Sequence, residues 1–221
     1  MERERPEVPT YCYFQGCYNP AYEREIERGK DLCFRFNALH PCDRAGQTAI
    51  LNELIGRMGE GAIFTPPFWC DYGYNIEVGE SFYANRNLVI TDGAKVTFGD
   101  NVFIAPNCCF TTAEHPTDPD LRRDGVEMAK PITVGNNVWI GAGSTVLAGV
   151  TIGDDAVIGA GSVVTRDIPP RVVACGVPCR VMRAITPADR DRYPFHESIA
   201  AKYGSDENGG LSVRLCSLKR L

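Results

Sequence analysis

The amino-acid sequence predicts a mainly β protein built as a parallel β-helix. The first observation is a row of branched aliphatic residues at every sixth position: Val134, Ile140, Val146, Ile152, Ile158 and Val164. The second is the glycine that directly follows most of them, since glycine tolerates the dihedral angles of tight turns. A six-residue period does not fit the 3.6-residue period of a helix, but it suits short strands separated by turns. Three such hexads make one coil of a triangular β-helix.

The third observation is that the same row extends upstream and is interrupted once. It can be traced through Val78, Ala84 and Ile90 and, after a two-residue slip, through Phe98, Ile104 and Phe110. Residues 111–131 are then polar and rich in proline, and the row resumes at Val134. A loop of this length is uncommon inside a compact repeat and is often functional. We therefore expect residues 111–131 to protrude from the coil as a functional loop.

Helical patterns flank the repeats. Residues 22–37 are charged with interspersed apolar residues, and the apolar residues of 43–58, ending at Met58, have helical spacing, so two helices are predicted before the coil. After the coil, Thr186 followed by Pro187 is typical of a capping residue and a first helical position. The predicted organisation is a helical segment at 1–60, a β-helix at 61–185 with the loop at 111–131, and a C-terminal helix and tail at 186–221.

Composition and charge exclude several classes of protein. The formal net charge of the 221 residues is -5, which argues against a nucleic-acid partner. No apolar run is long enough for a membrane helix, and residues 1–10 contain no secretory apolar region, so we expect a cytoplasmic protein without a membrane partner. The 10 cysteines include no CxxC pair, so reduced thiols are expected and no metal is required.

Six stretches of sequence, in this order, carry a family resemblance: PPFWCDYGYNI, FYANRN, TAEHPTDP, ITVGNNVWIGAG, VIGAGSVVTRDIPP and GVPCRV. Across about residues 20–185 the chain resembles the maltose and galactoside O-acetyltransferases of the hexapeptide-repeat family. The resemblance implies a left-handed coil, which is an exception to the usual right-handed crossover. It also implies a homotrimer with active sites between neighbouring subunits, and transfer of an acetyl group from acetyl-CoA to a hydroxyl of a maltose, glucose or galactoside type of sugar.

The predicted reaction requires a base, because an alcohol is a poor nucleophile until its proton is being removed. Histidine suits this role near neutral pH, and the protruding loop contains His115. By resemblance, Glu127 orients the ring of His115 and Asn85 lies near the reacting hydroxyl, although an exposed loop acid and a turn-forming asparagine are the ordinary alternatives. Asp71 and Asp92 match acceptor-side positions, where a carboxylate would accept hydrogen bonds from sugar hydroxyls. Either aspartate could equally be a turn residue.

The donor side is predicted around a glycine-rich turn and a basic run. The resemblance assigns the N–H of Ala142 to the developing oxyanion, a role that suits a backbone donor. Alternation along the strand places the ring of Trp139 outward, and the resemblance has it lining the donor site. Residues 162–185 contain four arginines and one aspartate, which could bind phosphate groups or form a solvated basic face. The remaining donor-binding positions of the family fall on Ala160, Thr165, Arg166, Arg180 and Arg183.

Alternatives to a sugar acetyltransferase remain open. Residues 13–20 contain no acid, whereas family members often place one there to hold the sugar, and Arg86 beside Asn85 is a further departure. An acyltransferase acting on serine or on a xenobiotic alcohol is therefore a second hypothesis. A β-helical carbonic anhydrase is excluded, because it needs three zinc-ligating histidines and the repeats contain one. A non-catalytic assembly module is the third hypothesis, but it would have no reason to keep the His115 loop together with the donor-side arginines.

Overall fold

A computed structural model describes Tyr13, Phe14 and residues 20–192. The chain divides after Ala184 into two compact units. The predictions made for most of residues 13–20 and of the C-terminal tail lie outside the described residues. Among the residues described, no helix is both long and apolar enough to span a membrane.

The two predicted N-terminal helices are present. Strand β1 (Tyr13–Phe14) comes first, followed by α1 (Pro20–Ala38) and α2 (Arg44–Leu54). Asp43 caps α2 by accepting a hydrogen bond of 2.9 Å from the Gly46 N–H. The second helix ends at Leu54, because Ile55 is already extended. Met58, which the helical spacing had included in this helix, instead belongs to the first strand of the coil.

The predicted β-helix is confirmed: three sheets form the three faces of the coil. Face 1 contains β2 (Arg57–Met58), β5 (Ile76–Val78), β8 (Val96–Phe98), β13 (Ile132–Val134) and β16 (Thr151–Ile152). Face 2 contains β3 (Ile63–Phe64), β6 (Tyr83–Ala84), β9 (Phe103–Ile104), β14 (Trp139–Ile140), β17 (Val157–Ile158), β19 (Val172–Cys175) and the antiparallel β20 (Arg180–Ala184). Face 3 contains β4 (Phe68–Cys70), β7 (Leu88–Thr91), β10 (Cys109–Thr111), β15 (Thr145–Val146) and β18 (Val163–Val164).

The strand register agrees with the row of aliphatic residues traced in the sequence. Val78 pairs with Phe98, Phe98 with Val134, and Val134 with Ile152. The row also extends further upstream than the sequence indicated, because Met58 pairs with Val78. The side chains of this row point inward, and most of them are buried. The interior of the first coils is aromatic, with the ring centroids of Phe82 and Phe98 5.1 Å apart.

The outward rows of the three faces differ in chemistry. Face 2 presents Ile63, Tyr83, Phe103, Trp139, Val157 and Val173, and face 3 presents Trp69, Val89, Cys109, Thr145 and Val163. Face 1 presents Arg57, Glu77, Thr97, Thr133 and Thr151. Large apolar rings therefore stand exposed on faces 2 and 3, whereas face 1 has a polar surface suited to water.

The predicted loop at 111–131 protrudes between face 3 and face 1, but it is more ordered than an irregular loop. It contains β11 (Ala113–Glu114), α3 (Pro119–Arg123) and β12 (Glu127–Ala129). Strands β11 and β12 are antiparallel, and β1 pairs with the other edge of β12. We call residues 112–131 the arm.

The second unit contains the predicted helix as one turn, α4 (Ala188–Asp191). The capping prediction for Thr186 is wrong, because the residue at the cap position is Pro187 and no side chain caps the helix. Instead, the Thr186 N–H donates to the Asp189 carboxylate at 2.9 Å.

Candidate active site

His115 and Glu127 are brought together by the two strands of the arm. The pairing of Glu114 with Met128 continues to place His115 opposite Glu127. Nε2 of His115 lies 3.9 Å from Oε1 of Glu127, and the side chains are 53% and 18% exposed. This separation is longer than a hydrogen bond, and the two groups form an ion pair only when the imidazole is protonated. A half-exposed imidazole therefore stands beside a largely shielded carboxylate.

Contacts on both sides of His115 hold the arm in shape. Nζ of Lys130 lies 2.7 Å from Oε2 of Glu114. On the other side, Nη1 of Arg122 donates to the carbonyl oxygens of Pro116 and Thr117 at 2.8 and 3.2 Å. Helix α3 thus holds the residues that follow His115. No pattern in the sequence had indicated Arg122.

Asp71 lies in the corner between face 3 and face 1, which also carries the arm; we call it the arm corner. Helix α1 packs on the Asp71 carbonyl so closely that a Cβ at Gly29 would lie 2.1 Å from the oxygen. Burial raises the pKa of the Asp71 carboxyl, the positive charge of Lys30 opposes this, and the negative charge of Glu127 adds to it. Asp71 and Glu127 therefore share one electrostatic neighbourhood. Lys30 had not been singled out from the sequence.

Asp92 lies in the same corner but is completely buried. Its carboxylate accepts hydrogen bonds from the backbone N–H groups of Asp71, Tyr72 and Gly73 at 3.0, 2.9 and 2.7 Å. Burial raises the pKa of Asp92 to about 6, although the three N–H donors favour the charged form. This geometry matches the turn-holding alternative, and it gives no support to a direct sugar contact.

Asn85 lies in a different corner, between face 2 and face 3, which we call the turn corner. Its Oδ1 accepts a hydrogen bond of 2.8 Å from the Arg86 N–H. The oxygen is thereby engaged in its own turn, while no acceptor within residues 20–192 meets the Nδ2 group. The amide thus presents a donor outward. Face 3 separates Asn85 from His115, so a single chain does not bring these two residues together.

Ala142 and Ala160 lie in successive turns of the turn corner. The Gly161 N–H donates to the Ala142 carbonyl at 2.8 Å, which stacks the two turns. Gly143, at φ +69°, closes the turn that contains Ala142 in a left-handed conformation that favours glycine. The buried Ser144 hydroxyl donates to the Gly141 carbonyl at 2.7 Å. Within the described residues, no protein acceptor meets the Ala142 N–H, so it remains able to bind a ligand oxygen.

The other donor-side residues are not gathered in one place. The ring of Trp139 is 54% exposed on face 2, which confirms its predicted outward orientation. Arg180 and Arg183 are exposed on β20 at the end of face 2. Thr165 and Arg166 are exposed at the arm corner, which face 3 separates from the turn corner.

Among the described residues, no group of three or more His, Cys, Asp or Glu could hold a metal ion. Cys33 and Cys70 are buried and their sulfur atoms lie 3.6 Å apart, but they are free thiols.

Comparisons with known proteins agree with this architecture. Residues 131–166 match a family described as bacterial transferase hexapeptide (six repeats), and residues 16–59 match the maltose acetyltransferase hexapeptide capping motif. The galactoside O-acetyltransferase of Escherichia coli (strain K12) is 50% identical over 168 residues, which are 76% of this chain and 82% of that protein.

Two solved structures are similar along most of the chain. A galactoside acetyltransferase in complex with coenzyme A is 47% identical with a TM-score of 0.77, and the match covers 78% of this chain and 86% of that one. A maltose O-acetyltransferase from Clostridium difficile 630 is 42% identical with a TM-score of 0.79, covering 81% of this chain and 96% of that one.

Proposed function

The chain belongs to the maltose and galactoside O-acetyltransferases of the hexapeptide-repeat family, and from this premise we propose that it acetylates a hydroxyl of a small sugar with His115 as the general base. It is an acetyl-CoA-dependent O-acetyltransferase. The sugar acceptor and the residue roles are the proposed part. The observation that carries the proposal is the half-exposed imidazole of His115 beside the Glu127 carboxylate on the arm.

In the proposed mechanism, His115 removes the proton of the acceptor hydroxyl as its oxygen attacks the thioester carbonyl. One ring nitrogen faces Glu127, and the other is left for the hydroxyl. The imidazolium that forms is stabilised by the Glu127 carboxylate, and His115 then returns the proton to the departing thiolate. The products are an acetate ester and coenzyme A with a protonated thiol.

The tetrahedral intermediate places a negative charge on the former carbonyl oxygen. A fixed backbone donor stabilises such a charge without reorganising. The Ala142 N–H, in a turn held by Gly143 and Ser144, is suited to this role. The Nδ2 group of Asn85 is a second donor in the same corner, where it can orient the acceptor hydroxyl.

A complete site requires two copies of the chain, because His115 and Asn85 lie in different corners. We infer a homotrimer in which the arm of one copy faces the turn corner of the next. The outward rings of Phe103, Trp139 and Trp69 support this assembly, since they stand on the two faces that meet at the turn corner. Covering these rings would remove apolar surface from water, whereas polar face 1 would stay solvated.

The donor would extend from Ala142 and Ala160 toward the basic residues. Guanidinium groups bind phosphate oxygens through paired hydrogen bonds. The side chains of Arg166, Arg180 and Arg183 are exposed and therefore accessible to the phosphate groups of the donor. Thr165 is exposed beside Arg166, and the ring of Trp139 offers an apolar surface to the donor. Relatives have been solved with coenzyme A and with acetyl coenzyme A.

The test replaces His115 with alanine and follows thiol release from acetyl-CoA over a panel of maltose, glucose, a galactoside and serine. We expect turnover to fall by about 10²- to 10⁴-fold, the usual contribution of a general base, with acetyl-CoA affinity unchanged by calorimetry. His40→Ala is the matched control, because His40 lies in the turn between α1 and α2 and should be dispensable. Wild-type turnover in His115→Ala contradicts the base assignment, and activity on serine alone favours the non-sugar hypothesis.

Mixing two inactive variants tests the shared site. The seam is the interface between two neighbouring subunits of the proposed trimer. In a trimer assembled from His115→Ala and Asn85→Ala chains, some seams contain the intact histidine of one chain and the intact asparagine of the other. Random assembly of equal amounts restores both residues in about a quarter of the seams. We expect that fraction of wild-type activity after refolding the mixture. No recovery would show that both residues act within one chain.

A further inference from the structure

The interior of the arm corner contains two polar residues that the mechanism above does not use. Asp92 and Thr112 are both completely inaccessible to solvent. Burying a polar group is unfavourable unless it is hydrogen-bonded. In the coil after the arm, the interior of the same corner is instead filled by the aliphatic side chain of Val150. The two polar residues therefore require an explanation.

The arm corner is widened where these residues lie. In a coil after the arm, the inward Val150 follows the inward Val146 by four positions, whereas Val96 follows Ile90 by six positions. The two additional residues let Asp92 turn into the coil and reach the turn at residues 71–73 below. This widening corresponds to the two-residue slip in the repeat.

Two sets of hydrogen bonds, joined by the backbone of the turn that contains Asp92, connect Asp71 with the arm. The Asp92 carboxylate accepts three backbone N–H groups from residues 71–73. In the turn that contains Asp92, the carbonyl of Thr91 accepts from the Thr112 hydroxyl at 2.7 Å, and the Ala94 N–H donates to that hydroxyl at 3.0 Å. The Thr112 carbonyl then accepts from the Lys130 N–H at 2.9 Å, which closes the base of the arm.

The arm base also rests directly on this turn. A Cβ at Gly93 would lie 3.5 Å from the Ala129 Cβ and 3.6 Å from the Thr112 hydroxyl oxygen. Ala129 ends β12, the strand that carries Glu127. A shift of the turn would therefore move the strand that faces His115.

We propose that Asp92 and Thr112 are positioning residues. Together they fix the position of the arm, with His115 and Glu127, relative to the turn that contains Asp71 in the acceptor site. The proposal rests on the proposed function. Neither residue touches the reacting atoms. They act through the backbone, Asp92 on the turn that holds Asp71 and Thr112 on the base of the arm.

The two residues should affect different kinetic constants. Asp92→Asn replaces a carboxylate oxygen with an NH₂ group that meets a backbone N–H, so the turn at 71–73 must shift. We expect the KM for the acceptor to rise about 10-fold. Thr112→Val leaves the Ala94 N–H without its partner. It also removes one of the two hydrogen bonds to the Thr91 carbonyl, which keeps only the Thr112 N–H at 3.1 Å. We expect kcat to fall about 10-fold, since small misplacements reduce rates strongly. The KM for acetyl-CoA should stay within about twofold in both variants, because the backbone groups of Ala142 and Ala160 that we propose to hold the donor lie in the turn corner.

Two further variants separate positioning from loss of stability. Thr112→Ser keeps the hydroxyl and should restore kcat. Asp100→Asn is the matched control, because Asp100 accepts a hydrogen bond of 2.8 Å from the Glu80 N–H at the corner far from the arm. It should leave the kinetic constants of wild type unchanged. All rates are measured well below the midpoint of thermal unfolding of each variant.

The outcomes separate this proposal from the proposed function. Equal increases in both KM values, or no rescue by Thr112→Ser, would overturn the positioning role. Wild-type constants in Asp92→Asn and Thr112→Val would do so as well. If Asp92→Asn does not fold, the pair Thr112→Val and Thr112→Ser decides the question alone. Wild-type protein that acetylates nothing on the panel would instead refute the proposed function.

Discussion

Glu127→Gln should lower kcat about 5- to 30-fold without changing the KM for acetyl-CoA. The substitution keeps the shape of the side chain and removes its charge. In the transition state the His115 ring becomes cationic while Nε2 lies 3.9 Å from Oε1 of Glu127. The carboxylate therefore stabilises the transition state more than the ground state, and this difference is what accelerates a reaction.

The size of the effect follows from Coulomb's law. Two unit charges at 3.9 Å attract by about 1 kcal/mol at the dielectric constant of water and about 4 kcal/mol at an effective value near 20. The His115 side chain is 53% exposed, so solvent screens the pair and the lower part of the range applies. A loss of about 1–2 kcal/mol corresponds to about a 5- to 30-fold decrease in rate.

Initial rates of thiol release at saturating acetyl-CoA, with the acceptor varied, measure this effect. Glu114→Gln is the control, because Glu114 lies in the same arm but pairs with Lys130, and a partly exposed ion pair contributes little. Equal losses in the two variants would mean that both damage the fold of the arm. Wild-type kcat in Glu127→Gln would refute the reasoning, because the charge would then have no part in the reaction.

Three further predictions concern the donor, the core and pH. Arg183→Ala should raise the KM for acetyl-CoA about 10-fold, the value of one charge-assisted hydrogen bond, without changing acceptor preference; an unaltered donor KM removes Arg183 from the site. Phe98→Ala should lower the free energy of unfolding in urea by about 3–5 kcal/mol, because its ring is fully buried between those of Phe82 and Phe110; a loss under about 1 kcal/mol would contradict that packing. Burial raises the pKa of Asp92 from 3.8 to about 6, so the stability that its carboxyl contributes is present below about pH 4 and is lost as pH rises through 6. The loss amounts to about 3 kcal/mol, and a difference in unfolding free energy between wild type and Asp92→Asn that stays constant from pH 4 to pH 7 would exclude it.

The repeat could be predicted in detail because periodicity is a local property of the sequence. Each inward residue recurs at a fixed step, so the pairing of Val78 with Phe98 and of Phe98 with Val134 follows once the slip and the arm are allowed for. The first coil escaped detection because Met58 also fits the spacing of the preceding helix. Short apolar segments do not distinguish a helix from a strand by period alone.

The interior of the arm was only partly predictable. Helix α3 had a usable signal, since Asp118 accepts hydrogen bonds from the N–H groups of Asp120 and Leu121 and is followed by Pro119, a good first helical residue. The antiparallel pairing that places His115 opposite Glu127 has no comparable signal. It depends on tertiary contacts, including the addition of β1 to the edge of β12.

Asp92 shows why a residue type and a position do not assign a role. A carboxylate in a turn suits a sugar hydroxyl and a backbone N–H equally well, so both readings were open in the sequence. The decisive fact is the direction in which the chain turns at the widened arm corner, which takes the side chain into the coil. The slip in the repeat marked this widening, but its direction could be determined only in three dimensions.

The separation of His115 from Asn85 has a mechanical consequence. A solenoid with hydrogen-bonded parallel strands on three faces cannot bend one corner onto another without breaking ladder hydrogen bonds along face 3. No conformational change of one chain can therefore complete the proposed site, and association must do so. The same association would cover Trp139 and Phe103, whose rings are 54% and 45% exposed in the single chain. In the proposed trimer, faces 2 and 3 would both stabilise the association and complete the site. Substitutions that weaken this contact between subunits should therefore lower activity in proportion to the loss of trimer.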